Sequence, residues 1–415
     1  MKGSILISGI YQDDDELGNV MNNLADHLSS NFNLTCIAFT PSGNQHYREL
    51  RYADPALHHV ELSKNNLVLP KHSALYNSLR NNEYRSIITL GSVKLNAPFI
   101  NQLRELNSHL PIISFLPYEG KVVNTLDASI LNKIDFGVFY SKFTYDCFYD
   151  LVMFENIIED FENKFGYIAH GVNTEKFYPI SMDRAEKTRM ARSKIPEYQS
   201  LPQDAFIVLN TNKPDYIKGL DSTLAAFKEF SSQRAHCYLH LHFGTMSNSW
   251  YQHVQSRIET YGLGNSMITT HADYPDTLYT DTWLNHVYNA CDVGLSTSYG
   301  ESWGQGVFEH AATMAPIIVP NHTVFREHWN HIALLTDICD TKYLACENTE
   351  IYIPSKKSIV ESLKKLYDSK DLHHRYAENC FTHVTSGKYS WQQTADFFLN
   401  LLAKKEISQG ELIEV

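Results

Sequence analysis

The segment 296–320, STSYGESWGQGVFEHAATMAPIIVP, constrains this chain more than any other. The apolar run 293–295 enters it and the run 317–319 leaves it, with a glycine-bearing turn and a helical pattern over 307–314 between them. That is strand, turn, helix, strand: one βαβ unit, the building block of a parallel sheet. The turn 300–306 opens onto the helix, where unbonded backbone N–H groups face outward with the helix dipole behind them. Such a place suits a phosphate. Glu301 falls in the turn and Glu309 in the first turns of the helix, so both can point into one crevice. Carboxylates beside a phosphate site serve hydroxyls or a developing positive charge, because they repel the phosphate itself. The same two residues also fit solvated acids on a surface turn.

The rest of the chain repeats this alternation. Apolar runs at 4–8, 34–39, 86–90, 112–115, 136–140 and 167–169 read as buried strands, with helical patterns such as 18–30 and 97–108 between them. A second series starts at 205–209 and continues at 237–243, 267–270, 293–297 and 317–319, separated by helices such as 222–231 and 250–260. Two such series predict two doubly wound α/β domains with mostly parallel sheets, and 415 residues are enough for both. The polar stretch 173–203, with Pro179, Pro196 and Pro202, reads as a linker between domains 1–172 and 204–388. Its basic cluster Arg184, Lys187, Arg189, Arg192 and Lys194 fits a solvated helix face or a contact with anionic lipid. The tail 389–415 carries Trp391, Ala395, Phe398, Leu401 and Leu402 at the spacing of an amphipathic helix.

With 35 Lys+Arg against 47 Asp+Glu the net charge is −12, which argues against a nucleic-acid partner. No segment approaches the ~20 apolar residues that span a bilayer, so any membrane contact would be peripheral. Seven scattered cysteines without a CxxC spacing argue for a reducing compartment and against a disulfide frame or zinc site. The apolar run at the N-terminus is too short for a signal peptide, and the expected location is the cytoplasm.

Ligands of open α/β sheets bind at the C-terminal ends of the strands, and several motifs fall there. After 205–209 comes NTNKPDYIKGLD, residues 210–221. Lys213 and Lys218 flank a loop that opens a helix, and two cations with free N–H groups would hold a pyrophosphate. Two surface lysines are the plainer alternative. Glu119, in FLPYEG, would bind ligand hydroxyls, act as a base, or cap a helix. Ser141 and Thr144 fit helix N-caps. His240 and His242 alternate along a strand, a pattern that can hold zinc, but no Cys or acid stands at a matching spacing. The acidic run 13–16 would repel a phosphate and fits a helix cap or a contact with a polar or cationic ligand.

Together these motifs resemble those of retaining glycosyltransferases of family 4 (glycosyl transferases group 1). Glu301, Trp303, Gly304, Glu309, Ala312 and Pro316 match the family's E-x7-E element, while Ser302, Gln305 and Met314 stand where a glycine, an apolar residue and a glycine are usual. Lys218 and Gly219 match a Lys-Gly pair, and Lys213 stands where Arg is usual, without its bidentate fork. Residues 170–179 resemble the end of the family's first domain, with Asn173 for Asp. Residues 117–120 resemble a Pro-x-(Asp/Glu)-Gly form found where many relatives have a histidine.

The resemblance implies a GT-B fold, two Rossmann-like domains facing across a crevice, with the C-terminal helix returning to the first. It implies metal-independent, retaining transfer of a sugar from a nucleotide-diphosphate donor, UDP- or GDP-linked, to a hydroxyl of a glycan, lipid-linked or protein acceptor. No further cofactor is implied. Lys213 and Lys218 would hold the diphosphate, Glu301 would face the transferred sugar, Glu309 would bind the ribose, and Glu119 would serve the acceptor side. Asn212, Gly219, Ser302, Trp303, Gly304 and Gln305 would complete the donor site, helped by backbone N–H groups of 303–306. The loop 270–276 would select the base. The departures at Lys213, Ser302 and Met314 leave open an inactive sugar-nucleotide binder. Glu119 with His170 leaves open a hydrolase or epimerase of the same fold.

Overall fold

The structure, a computed structural model, describes residues 3–10, 16–40, 57–61, 68–71, 73–124, 128–155, 157–158, 160–245, 248–272, 279–345 and 348–403. Most of the acidic run 13–16, and the loop 270–276 from 273 onward, lie outside the described residues. The chain divides into two units. Met1–Tyr118, Val122–Gly171 and Ser390–Val415 form one; Glu119–Lys121 and Val172–Tyr389 form the other.

In the first unit the apolar runs become parallel strands: β1 (Ser4–Ile10), β2 (Asn33–Thr40), β3 (Leu57–Glu61), β4 (Ser86–Leu90), β5 (Ile112–Leu116), β6 (Phe136–Phe139) and β7 (Phe165–Tyr167). Their order is β3-β2-β1-β4-β5-β6-β7. Ile7 of β1 lies between Cys36 of β2 and Ile88 of β4. β4 and β5 are buried along their whole length, as strands covered on both faces must be. β3 was not foreseen; its two histidines interrupt the apolar pattern. The helix expected from 97 starts at Val93, because Ser92 caps it by accepting from Leu95 N; Pro98 lies inside it. The C-terminal helix, Trp391–Ala403, packs into this unit. Trp391 stacks on His170 at 5.2 Å, Phe398 meets Phe115 edge-on at 5.1 Å, and Thr394 donates to Ala169 O at 3.0 Å.

The second unit repeats the plan with β8 (Phe206–Asn210), β9 (Cys237–Thr245), β10 (Met267–Ala272), β11 (Val293–Leu295), β12 (Ile317–Pro320) and β13 (Leu334–Thr336). The order is β10-β9-β8-β11-β12-β13, all parallel. Val208, Leu239, Leu241, Val293 and Ile318 from the sheet pack with Leu224, Phe227 and Leu363 from helices. An antiparallel ribbon follows, β14 (Ile338–Leu344) and β15 (Thr349–Pro354), which the sequence did not announce. In both sheets the strand order reverses beside the first strand, which opens a crevice at the strands' C-terminal ends.

The stretch 173–203 is not a free linker but part of the second unit. Asn285 and Asn289 accept from the backbone N–H groups of Tyr178 and Ile180 at 3.1 and 3.0 Å. The helix Arg184–Arg192 turns its charges inward: Arg184 and Arg192 pair with buried Asp292 at 2.7 and 3.0 Å. Buried Lys187 donates to Thr313 O and Met314 O, both at 2.8 Å. Three of the five basic residues are thus used within the protein, which corrects the solvated-face and lipid-contact expectations for them. Among the described residues no helix is long and apolar enough to cross a membrane.

Candidate functional site

The loops that leave β8 and β11 meet at the switch point of the second sheet. β8 leads through Asn212 and part-buried Lys213 to the short turn Tyr216–Lys218, and Gly219 then opens the helix Leu220–Ser231. Gly219 is left-handed (φ +66), and a Cβ there would lie 2.3 Å from Thr297 O. Hydroxyls and amides stitch the two loops together. Asn210 donates to Thr223 Oγ1 at 2.9 Å, Thr223 donates to Thr297 Oγ1 at 2.6 Å, and Thr297 donates to Gly219 O at 2.9 Å. Asn212 Nδ2 donates to Ser296 Oγ at 2.9 Å.

This framework delivers Lys218. Ile217, beneath it, is buried with Tyr299 and Ile351 of the ribbon. Tyr299 N donates to Ile217 O, and Tyr352 N to Tyr299 O, both at 2.7 Å. Lys218 Nζ donates to Glu119 Oε1 at 2.6 Å and also to Glu301 Oε2. Glycine makes the meeting possible: a Cβ on Gly300 would come within 2.7 Å of Gly120 N, and one on Gly120 (φ +87) within 2.7 Å of Glu350 O. The bare backbones touch, so the neighbouring carboxylates converge on one ammonium. Burial works against the charge on Lys218, but Glu119 and then Glu301 outweigh it and hold its pKa well above the ordinary lysine value.

The helix Gln305–Ala312 starts from left-handed Gly304 (φ +89) with no side chain capping it, so its first N–H groups are presented at the crevice end of β11. Its start is two residues earlier than expected. Ser302 is buried and keeps an ordinary φ, so replacing the usual glycine strains nothing. The Trp303 side chain lies in the core, stacked on Phe308 at 4.1 Å, which leaves only its backbone for a ligand. Glu309 is buried and accepts from Gln305 Nε2 at 2.5 Å and Tyr288 Oη at 2.9 Å. Burial pushes its carboxyl up to about 7 against the pull of those two donors. The helix stops at Ala312, short of the expected 314, because Met314 is left-handed (φ +61). That conformation explains why glycine is usual at this position in the resembled family.

Other expectations resolve differently. His240 bonds Tyr198 Oη through Nδ1 and Thr270 Oγ1 through Nε2 at 2.7 Å; His242 Nδ1 lies 2.9 Å from the same hydroxyl. Both imidazoles are desolvated, and His242 falls to about 4. Among the described residues no group of three or more His, Cys, Asp or Glu is placed to hold a metal. Glu119 is bonded to Lys218, and His170 is stacked on Trp391 within the first unit. Ser141 accepts from Thr144 N at 3.2 Å, a helix cap in the first unit. Tyr288 and His322 were not singled out from the sequence, and Gly120 stood there only as the glycine of the 117–120 form. His322 Nε2 donates to Ser298 O at 2.8 Å, and Ser298 Oγ donates to Gly300 O at 2.7 Å, bracing the Glu301 turn. Neither Tyr288 nor His322 stands in a recognisable spacing.

Two Rossmann-like sheets with this strand order, carried by such a chain, are the GT-B fold of glycosyltransferases. No family model and no curated protein matches the chain. Solved structures are similar in fold. A sucrose-phosphate synthase of Thermosynechococcus elongatus is 15% identical, with 96% of this chain and 98% of that one covered and a TM-score of 0.70. HepE of Anabaena, in complex with UDP and glucose, is 11% identical over 97% and 99% of the two chains, TM-score 0.69. A UDP-forming α,α-trehalose-phosphate synthase of Burkholderia xenovorans is 13% identical over 99% and 100%, TM-score 0.67.

Proposed function

We propose that this protein is a retaining, metal-independent glycosyltransferase, similar to family 4, that moves a sugar from a nucleotide-diphosphate donor to an acceptor hydroxyl. One observation carries the reading: a charged lysine, two carboxylates and an uncapped helix N-terminus gather at the switch point of the second sheet. Lys218, with Lys213 in the same loop, would bind the diphosphate and offset the charge that grows on the leaving group. The first N–H groups of the helix Gln305–Ala312 would add donors. Glu301 would accept from hydroxyls of the transferred sugar and favour its oxocarbenium-like charge. Glu309 would accept from the ribose. The similar fold of HepE in complex with UDP and glucose supports a UDP-sugar donor.

The test is a thermal-shift and donor-hydrolysis screen of UDP-, GDP- and ADP-sugars with EDTA present, on wild type and Glu309→Ala. One donor is expected to stabilise the wild type by about 2.7 kcal/mol at a hundredfold excess over its Kd. Slow hydrolysis of that donor, lost in the variant, is expected with it. Binding without turnover would point to an inactive sugar-nucleotide partner. Absence of binding by every donor would overturn the assignment.

A further inference from the structure

We propose that Glu119 is a displaceable counter-ion of Lys218, which the donor's diphosphate replaces. The inference rests on the donor reading above. The Lys218 ammonium faces two carboxylates, so a diphosphate drawn to it would come up against both of them. Adding a diphosphate to both carboxylates is costly, so one must leave. The Glu301 side chain is 5% exposed on the rigid β11 loop, braced through Ser298 and His322. The Glu119 side chain is 37% exposed. Glu119 therefore returns to water at smaller cost. Its backbone need not move: Gly120 is held against Glu350 O and Gly300, so rotation about the side-chain bonds suffices.

Two consequences follow. In the empty protein Glu119 keeps the Lys218 ammonium charged and aimed at the crevice. Once the diphosphate has bound, Glu119 is released to meet an acceptor hydroxyl, so the donor binds first. No covalent step is involved.

Calorimetry with inorganic pyrophosphate, UDP and GDP tests this on wild type, Glu119→Gln, Glu119→Ala and Lys218→Met. Removing the competing charge is expected to tighten pyrophosphate and the bound nucleotide about tenfold in both Glu119 variants. The gain should shrink when Glu119→Gln is placed on Lys218→Met, because the two residues are coupled. Equal or weaker binding by folded Glu119 variants, with wild type still binding, would overturn the counter-ion role and leave the donor reading standing. If wild type binds none of these probes, nor ADP, the donor reading fails and takes this inference with it. Melting curves report whether each variant folds.

Discussion

Glu309 combines a buried carboxyl with the proposed ribose contact. Its carboxyl titrates at about 7, because burial outweighs the hydrogen bonds from Gln305 and Tyr288. Ribose hydroxyls donate hydrogen bonds and so favour the ionised form. Affinity for the donor nucleotide is expected to rise roughly tenfold between about pH 6 and pH 8, with a flat profile in Glu309→Gln. Calorimetry across that range checks it. Stability runs the other way. A carboxyl whose folded pKa lies above its ordinary 4.5 contributes stability below that value and loses it as the pH climbs through about 7. The melting temperature of Glu309→Gln should therefore overtake that of wild type at about pH 8 and not at about pH 5. Glu301, Glu309 and Lys218 stood out as candidates because they fall at strand and helix ends and match the motifs of the resembled family. The convergence of Glu119 on Lys218 was not, because no local pattern encodes a contact between such distant segments.

Among the elements, the helix Gln305–Ala312 depends on how both of its ends are made. Gly304 opens it, and Met314 lies beyond its far end in a conformation that disfavours a side chain. Lys187 holds the carbonyls of Thr313 and Met314, so a cation sits at the negative end of the helix dipole. Met314→Gly keeps that backbone acceptor and removes the strain. It is expected to raise stability by about 1 kcal/mol, seen as a higher urea midpoint with unchanged slope. A lower midpoint would mean that the lost Met314 side-chain packing outweighs the relief. Apolar runs flanked by turn residues placed most of the strands to within two residues. β3, β13 and the β14–β15 ribbon escaped, being short, broken by histidines, or, like most of β14, exposed.

For the whole molecule, chain order and spatial grouping part company at two places. Glu119–Lys121 lies with the second unit, and Ser390–Val415 with the first. The tail's apolar spacing pointed to a helix, and the packing that receives it is visible only in three dimensions. Phe398 is fully buried against Phe115. Phe398→Ala is expected to cost about 3–5 kcal/mol and to lower the melting temperature. Donor-nucleotide affinity below that transition should stay as in wild type, since the proposed donor contacts belong to the second unit. A large loss of affinity in the folded variant would refute that separation. The stretch 173–203 was misjudged because proline and charge resemble a linker, while the asparagines and Asp292 that receive it stand elsewhere in the sequence.

The bare contact between Gly120 and Gly300 also bears on how a saturation scan of this protein would be interpreted. Any side chain at either position wedges the two segments apart and pulls Glu119 and Glu301 off Lys218. Positions 120 and 300 would then score as intolerant as the charged residues beside them, although neither carries a group that can bind or react. In such a map the glycines mark a spacer, and their sensitivity measures the width of a gap.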